Sequence, residues 1–104
     1  MPDSHTTKRL LKAVELKDNH MQRIEHQGRA YLVCRVKDQV YAMDDRCTHE
    51  DVSLSLGALQ DHCIRCPLHG SRFDVRTGQV LDEPAEENLT TYPITVVEGW
   101  ICLK

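Results

Sequence analysis

Between Ala30 and Val36 apolar positions occur on both sides of an extended chain: Leu32, Cys34 and Val36 on one face, Tyr31 and Val33 with Arg35 on the other. Similar short, β-prone segments occupy Leu10 to Lys17, Met21 to Glu25 and Val40 to Met43, and the style returns at Tyr92 to Glu98 and Trp100 to Leu103. Turn-forming residues part them at Lys17-Asp18-Asn19, Gln27-Gly28, Lys37-Asp38 and Gly99. No stretch carries a helical period, so the chain is predicted to be all-β. Its middle, Asp44 to Pro84, holds Gly57, Pro67, Gly70 and Gly78 and reads as loops, with a hairpin predicted from His62 to Arg65 and Arg72 to Val75. Chain ends that pair around such an insert predict an antiparallel β-sandwich or partial barrel carrying a separate loop-rich subdomain at about 44–84. With no repeat, linker or low-complexity run, residues 1–104 read as a single domain.

The 104 residues leave room for one core and none for an added catalytic domain. At 40% hydrophobic and 28% charged the chain has the make-up of a folded protein and not of a disordered one. Thirteen Lys and Arg are scattered among sixteen acids, for a net charge of -3, which excludes the basic stripe that nucleic acid requires. A mildly acidic surface instead suits docking onto a basic patch of a protein partner. No apolar run is long enough to cross a bilayer and Met1 to His5 shows no leader pattern, so the expectation is a cytoplasmic monomer without a membrane partner. No residues form an acid–base pair or a substrate site, so the chain is expected not to be an enzyme alone.

Five cysteines are an odd number, and in a reducing compartment cysteine clustered with histidine points to metal. Cys47-Thr48-His49 is followed, after sixteen intervening residues, by Cys66-Pro67-Leu68-His69. Each half offers one thiolate and one imidazole, and two turns brought together would supply four ligands, for either one zinc or a diiron cluster. A structural zinc finger commonly keeps both cysteines in one half and a histidine pair on a helix. Here the halves are equal and Pro67 and Gly70 flank His69, which favours a [2Fe–2S] cluster and leaves a structural zinc-binding module as the alternative.

The wider run Asp44-Asp45-Arg46-Cys47-Thr48-His49-Glu50-Asp51-Val52-Ser53-Leu54-Ser55 resembles the first cluster loop of soluble bacterial Rieske ferredoxins. Cys66-Pro67-Leu68-His69-Gly70-Ser71-Arg72-Phe73-Asp74-Val75-Arg76-Thr77-Gly78 resembles their second, and Pro84-Ala85 their proline-bearing third loop, which covers the cluster. The likeness runs from about residue 8 to 104. It implies a Rieske fold with one [2Fe–2S] cluster, Cys47 and Cys66 on a buried ferric iron, and His49 and His69 on the outer iron that changes valence. It also implies an electron carrier between an NAD(P)H-dependent flavoprotein reductase and a terminal Rieske non-haem iron oxygenase, docking near His49 and His69. The small subunit of an NAD(P)H-nitrite reductase is the alternative within the same resemblance. Val52 and Leu68 stand where respiratory-chain members carry a disulfide. Ser71 matches a hydroxyl that raises their potential, but Phe73 replaces a second, so a low-potential carrier is expected.

The remaining residues have plainer readings. Cys63 and Cys66 have the spacing of a redox dithiol but lie in a β pattern, and Cys34 and Cys102 read as small apolar residues in strands. His5, His20, His26 and His62, with Arg72 and Arg76, are expected to be solvated. Asp82, Glu83, Glu86 and Glu87 form an acidic segment that reads as hydrated surface or, beside a cluster edge, as a docking rim.

Overall fold

The structure is a computed structural model that describes residues 8–49, 51–68 and 70–104; His5 and His69 therefore lie outside the described residues. Among the described residues, ten strands make three open antiparallel sheets and there is no α-helix. The outer sheet joins the two ends of the chain. In it β1 (Arg9–Lys12) pairs with β10 (Trp100–Leu103), which pairs with β9 (Ile94–Val97). The central sheet has the order β2 (His20–His26), β3 (Arg29–Val36), β4 (Gln39–Asp44) and β8 (Thr91–Tyr92). Within the insert, β5 (Ala58–Gln60), β6 (Cys63–Arg65) and β7 (Arg72–Asp74) form the third sheet, which contains the predicted hairpin.

The alternation in β3 explains how the three layers stack. Leu32, Cys34 and Val36, with Met43 of β4, pack against Leu54, Ile64, Phe73 and Val75 of the insert. Tyr31 and Val33, with Ala42, face the outer sheet and meet Leu10, Leu11, Leu16 and Ile101. One central sheet thus serves two cores, and the insert is seated on it by side chains with almost no exposed surface. Ile64 and Phe73 face each other across β6 and β7 and are both 0% exposed; truncating either would cost about 2–5 kcal/mol.

Two strand expectations are corrected, and one strand is added. β1 ends at Lys12 and does not run to Lys17, because Ala13–Glu15 forms a 3-10 turn. Arg35 sets that turn: its guanidinium donates to the carbonyls of Ala13 (2.9 Å) and Leu16 (2.6 Å), and Val14 is left exposed. The segment Tyr92 to Glu98 is two strands in two sheets. Pro93 has no N–H for a ladder, and the chain changes layer there. β5 was not legible at all, being three residues of middling β propensity after a glycine.

Candidate metal centre

The two predicted ligand loops are built alike. The N–H of Cys47 donates to the carbonyl of Val52 (3.1 Å), and that of Cys66 to the carbonyl of Ser71 (2.8 Å), five residues on in each case. Each loop is thereby folded back behind its cysteine. Both thiols are only 2% exposed and join the core cluster containing Leu54, Ile64 and Phe73. His49, two positions beyond Cys47, is exposed. Two buried cysteines of one core cluster, with an exposed imidazole two residues past the first, are the donor types of a group bound by both sulfur and nitrogen. The donors present therefore fit a Rieske centre, with His69 outside the described residues.

The proline-bearing segment is fastened to both loops. Thr48 Oγ1 donates to the carbonyl of Glu87 (2.8 Å), and the N–H of Ala85 donates to Ser71 Oγ (3.0 Å), which is 1% exposed. Pro84 thus lies beside His49, sharing with Thr48, Glu86 and Glu87 a cleft of about 280 Å3. Because Ser71 accepts from Ala85, its hydroxyl proton remains available for a sulfur acceptor. Ser71→Ala is expected to lower the midpoint potential. It should also lower stability by about 1–3 kcal/mol, since the Ala85 N–H would be buried without an acceptor. Redox titration and thermal unfolding check the two effects separately.

A buried acid escaped the sequence reading. Asp45 is 3% exposed and accepts from Arg23 Nε (3.0 Å), from the N–H of Ser55 (3.1 Å) and from Ser53 Oγ. Its own carbonyl accepts from the N–H of Leu54 (2.6 Å), and Arg46 bridges to Ser53, so Asp45 closes the neck of the first loop. The signal was present as an Asp preceding the Cys-x-His, with two serines beyond it. What the sequence hides is Arg23, more than twenty residues earlier on another strand.

Other residues fall where chemistry is not required. Cys34 and Cys102 are fully buried, and burial pushes the Cys34 thiol up to about 12. At pH 8 its thiolate fraction is then about one in ten thousand. Alkylation of the intact protein at that pH should therefore add one label, on half-buried Cys63, and reach Cys34 only after denaturation; mass spectrometry of the peptides checks this. His62 is not solvated but half-buried with its ring edge against Tyr41 (6.1 Å), and His26 packs on Tyr31. Arg76 clamps Asp74 and holds its carboxyl below the usual range, and Arg72 does the same for Asp82. Asp82 is thus taken out of the acidic rim, which leaves Glu83, Glu86 and Glu87 exposed.

Comparison with known proteins shows the family. Residues 6–93 match the Rieske [2Fe-2S] domain, and the chain belongs to that family. It is 41% identical over 69 residues to the anthranilate 1,2-dioxygenase ferredoxin subunit of Burkholderia cepacia, a match spanning 66% of this chain and 64% of that protein. The Sphingomonas yanoikuyae B1 ferredoxin superposes with a TM-score of 0.88 at 32% identity, over 91% of this chain and 94% of that one. A ferredoxin bound to its oxygenase in carbazole 1,9a-dioxygenase superposes with a TM-score of 0.87 at 34% identity, over 91% and 89% of the two chains. The cofactor is accordingly a Rieske [2Fe–2S] cluster, and the chain is an electron carrier and not a catalytic subunit. No helix among the described residues is long and apolar enough to cross a membrane.

Proposed function

We propose that Cys47, His49, Cys66 and His69 hold the [2Fe–2S] cluster, and that the chain ferries single electrons from an NAD(P)H-dependent flavoprotein reductase to a terminal Rieske oxygenase. The observation that carries the ligand set is the matched pair of loops, each presenting a cysteine 2% exposed behind an N–H bond to the residue five positions on. When bound, the cluster supplies a site that accepts and releases one electron. The chain's residues do the rest. Buried Cys47 and Cys66 would hold the cluster from the core side, and exposed His49 from the side open to a partner. Thr48 and Ser71 fasten the segment 84–87 beside His49.

The docking face is the ground around His49, rimmed by exposed Glu83, Glu86 and Glu87, with Leu68 at 46% exposure beyond the second cysteine. Its acids would steer a basic partner, and its few apolar residues would exclude water between donor and acceptor. Both partners meet the same edge in this reading, so the protein works as a monomer that visits them in turn. Five unbridged cysteines suit the reducing cytoplasm. The test is direct. Anaerobically purified protein should contain two irons and two acid-labile sulfides per chain, and when reduced should pass its electron to a purified Rieske oxygenase. Zinc in place of iron and sulfide would end the proposal.

A further inference from the structure

Asp45 is the most deeply buried acid among the described residues, and a carboxylate out of water is expensive unless its charge is answered. Here it is answered from three directions. Ser53 Oγ has a single proton and gives it to Asp45, so the Ser55 hydroxyl, 2.6 Å away, must donate to Ser53. The N–H of Ser55 completes the loop's own contribution. The third donor, and the only cation bonded to Asp45 among the described residues, is Arg23, which reaches across from β2 and also holds exposed Glu25 (2.9 Å). Arg23 itself is 42% exposed while the Asp45 side chain is 4% exposed, so the positive end of the pair lies outward and the negative end inward.

Position gives this pair a reach beyond the loop neck. Asp45 and Cys47 flank Arg46, which is bridged to Ser53 and exposed, so both turn inward. Two residues of extended chain separate their Cα atoms by about 7 Å. At that range a full charge in a dry interior interacts appreciably with whatever charge gathers at the Cys47 sulfur.

We propose that Asp45 and Arg23 form a charge-compensated positioning element for the Cys47 loop, Asp45 fixing the loop's neck and the pair as a whole setting the midpoint potential. The inference rests on Cys47 being a cluster ligand. Reduction adds one negative charge at the centre. Asp45 opposes that addition and Arg23 favours it, so removing one or the other should move the potential in opposite directions.

The experiment is a redox titration of the holoprotein and its Asp45→Asn, Arg23→Gln and Arg23→Lys variants, with labile sulfide and thermal unfolding measured on each. Arg23→Gln should lower the midpoint, Arg23→Lys should restore it most of the way, and Asp45→Asn should raise it. The Arg23→Gln shift should shrink in high salt because Arg23 is partly solvated. Should Asp45→Asn fail to fold, the two Arg23 variants decide alone. An Arg23→Gln protein with full sulfide and an unmoved midpoint overturns the inference, as do shifts of the same sign in both variants. Wild-type protein lacking labile sulfide would instead overturn the ligand assignment beneath it.

Discussion

Cys66→Ala is expected to give a colourless protein that transfers no electrons, and Cys47→Ala the same, while Cys63→Ala keeps the full visible spectrum. The contrast follows from strand alternation. Cys63 and Arg65 share one face of β6 and Ile64 takes the other, fully buried in the core beneath the two loops. Cys66, one residue past the strand, is turned inward with the second loop folded back on it through Ser71. Cys63 is thus three residues away in sequence and on the wrong side of the sheet. The loss should reach stability too, because energy from binding a metal centre to a loop-rich lobe is folding energy. Among the described residues of the insert, only β5, β6, β7 and one 3-10 turn are regular. Hydrogen exchange should therefore rise by several orders of magnitude across 44–84 in Cys66→Ala and hardly at all in β2 and β3. Retained absorbance and labile sulfide in Cys66→Ala would sink the assignment, and bleaching in Cys63→Ala would point to the Cys-x-x-Cys pair instead.

The parts of this molecule legible in its sequence are those in which neighbouring residues carry the information. The two faces of β3 could be read from alternation, and the structure places each group of residues in its own core. The proposed ligand pairs stand out in the sequence because Cys47 with His49, and Cys66 with His69, are local. The rest failed for want of locality. The end of β1 depends on Arg35, nineteen and twenty-two residues beyond the carbonyls it binds. The neck of the first loop depends on Arg23, and the fastening of the third loop on Thr48 and Ser71, each bonded to backbone far along the chain. A hydroxyl or guanidinium announces that it can donate, and only the fold says to what. Solvation of His62 was misjudged for the same reason, since nothing near it in sequence foretells the ring of Tyr41.

The insert also rests on two glycines where a methyl group would meet backbone, and replacing them should cost more than any surface change. At Gly57 the φ angle is ordinary, but an added Cβ would lie 1.8 Å from the carbonyl oxygen of Arg65. That carbonyl sits immediately before Cys66, so Gly57→Ala must push β5 away from β6 or displace the second loop. At Gly78 two demands coincide. Its φ is +81°, and a Cβ would lie 2.1 Å from the carbonyl oxygen of Leu89. The same contact includes the Leu89 N–H bond to the Gly78 carbonyl (2.7 Å), which returns the chain to β8 after the proline-bearing segment. Left-handed strain of about 1–2 kcal/mol adds to the loss of that closure. We expect Gly78→Ala to destabilise the protein by about 3–5 kcal/mol, near the upper end for single substitutions. In a domain of this size that is a fall in Tm of roughly 12–30 °C. Gly57→Ala should have a smaller effect on Tm but a larger one on the cluster, seen as faster loss of visible absorbance in air, because its clash falls on the residue before a ligand. If both variants melted and bleached like the wild type, neither close approach would be needed, and the tight seating of the insert would have to come from the core alone.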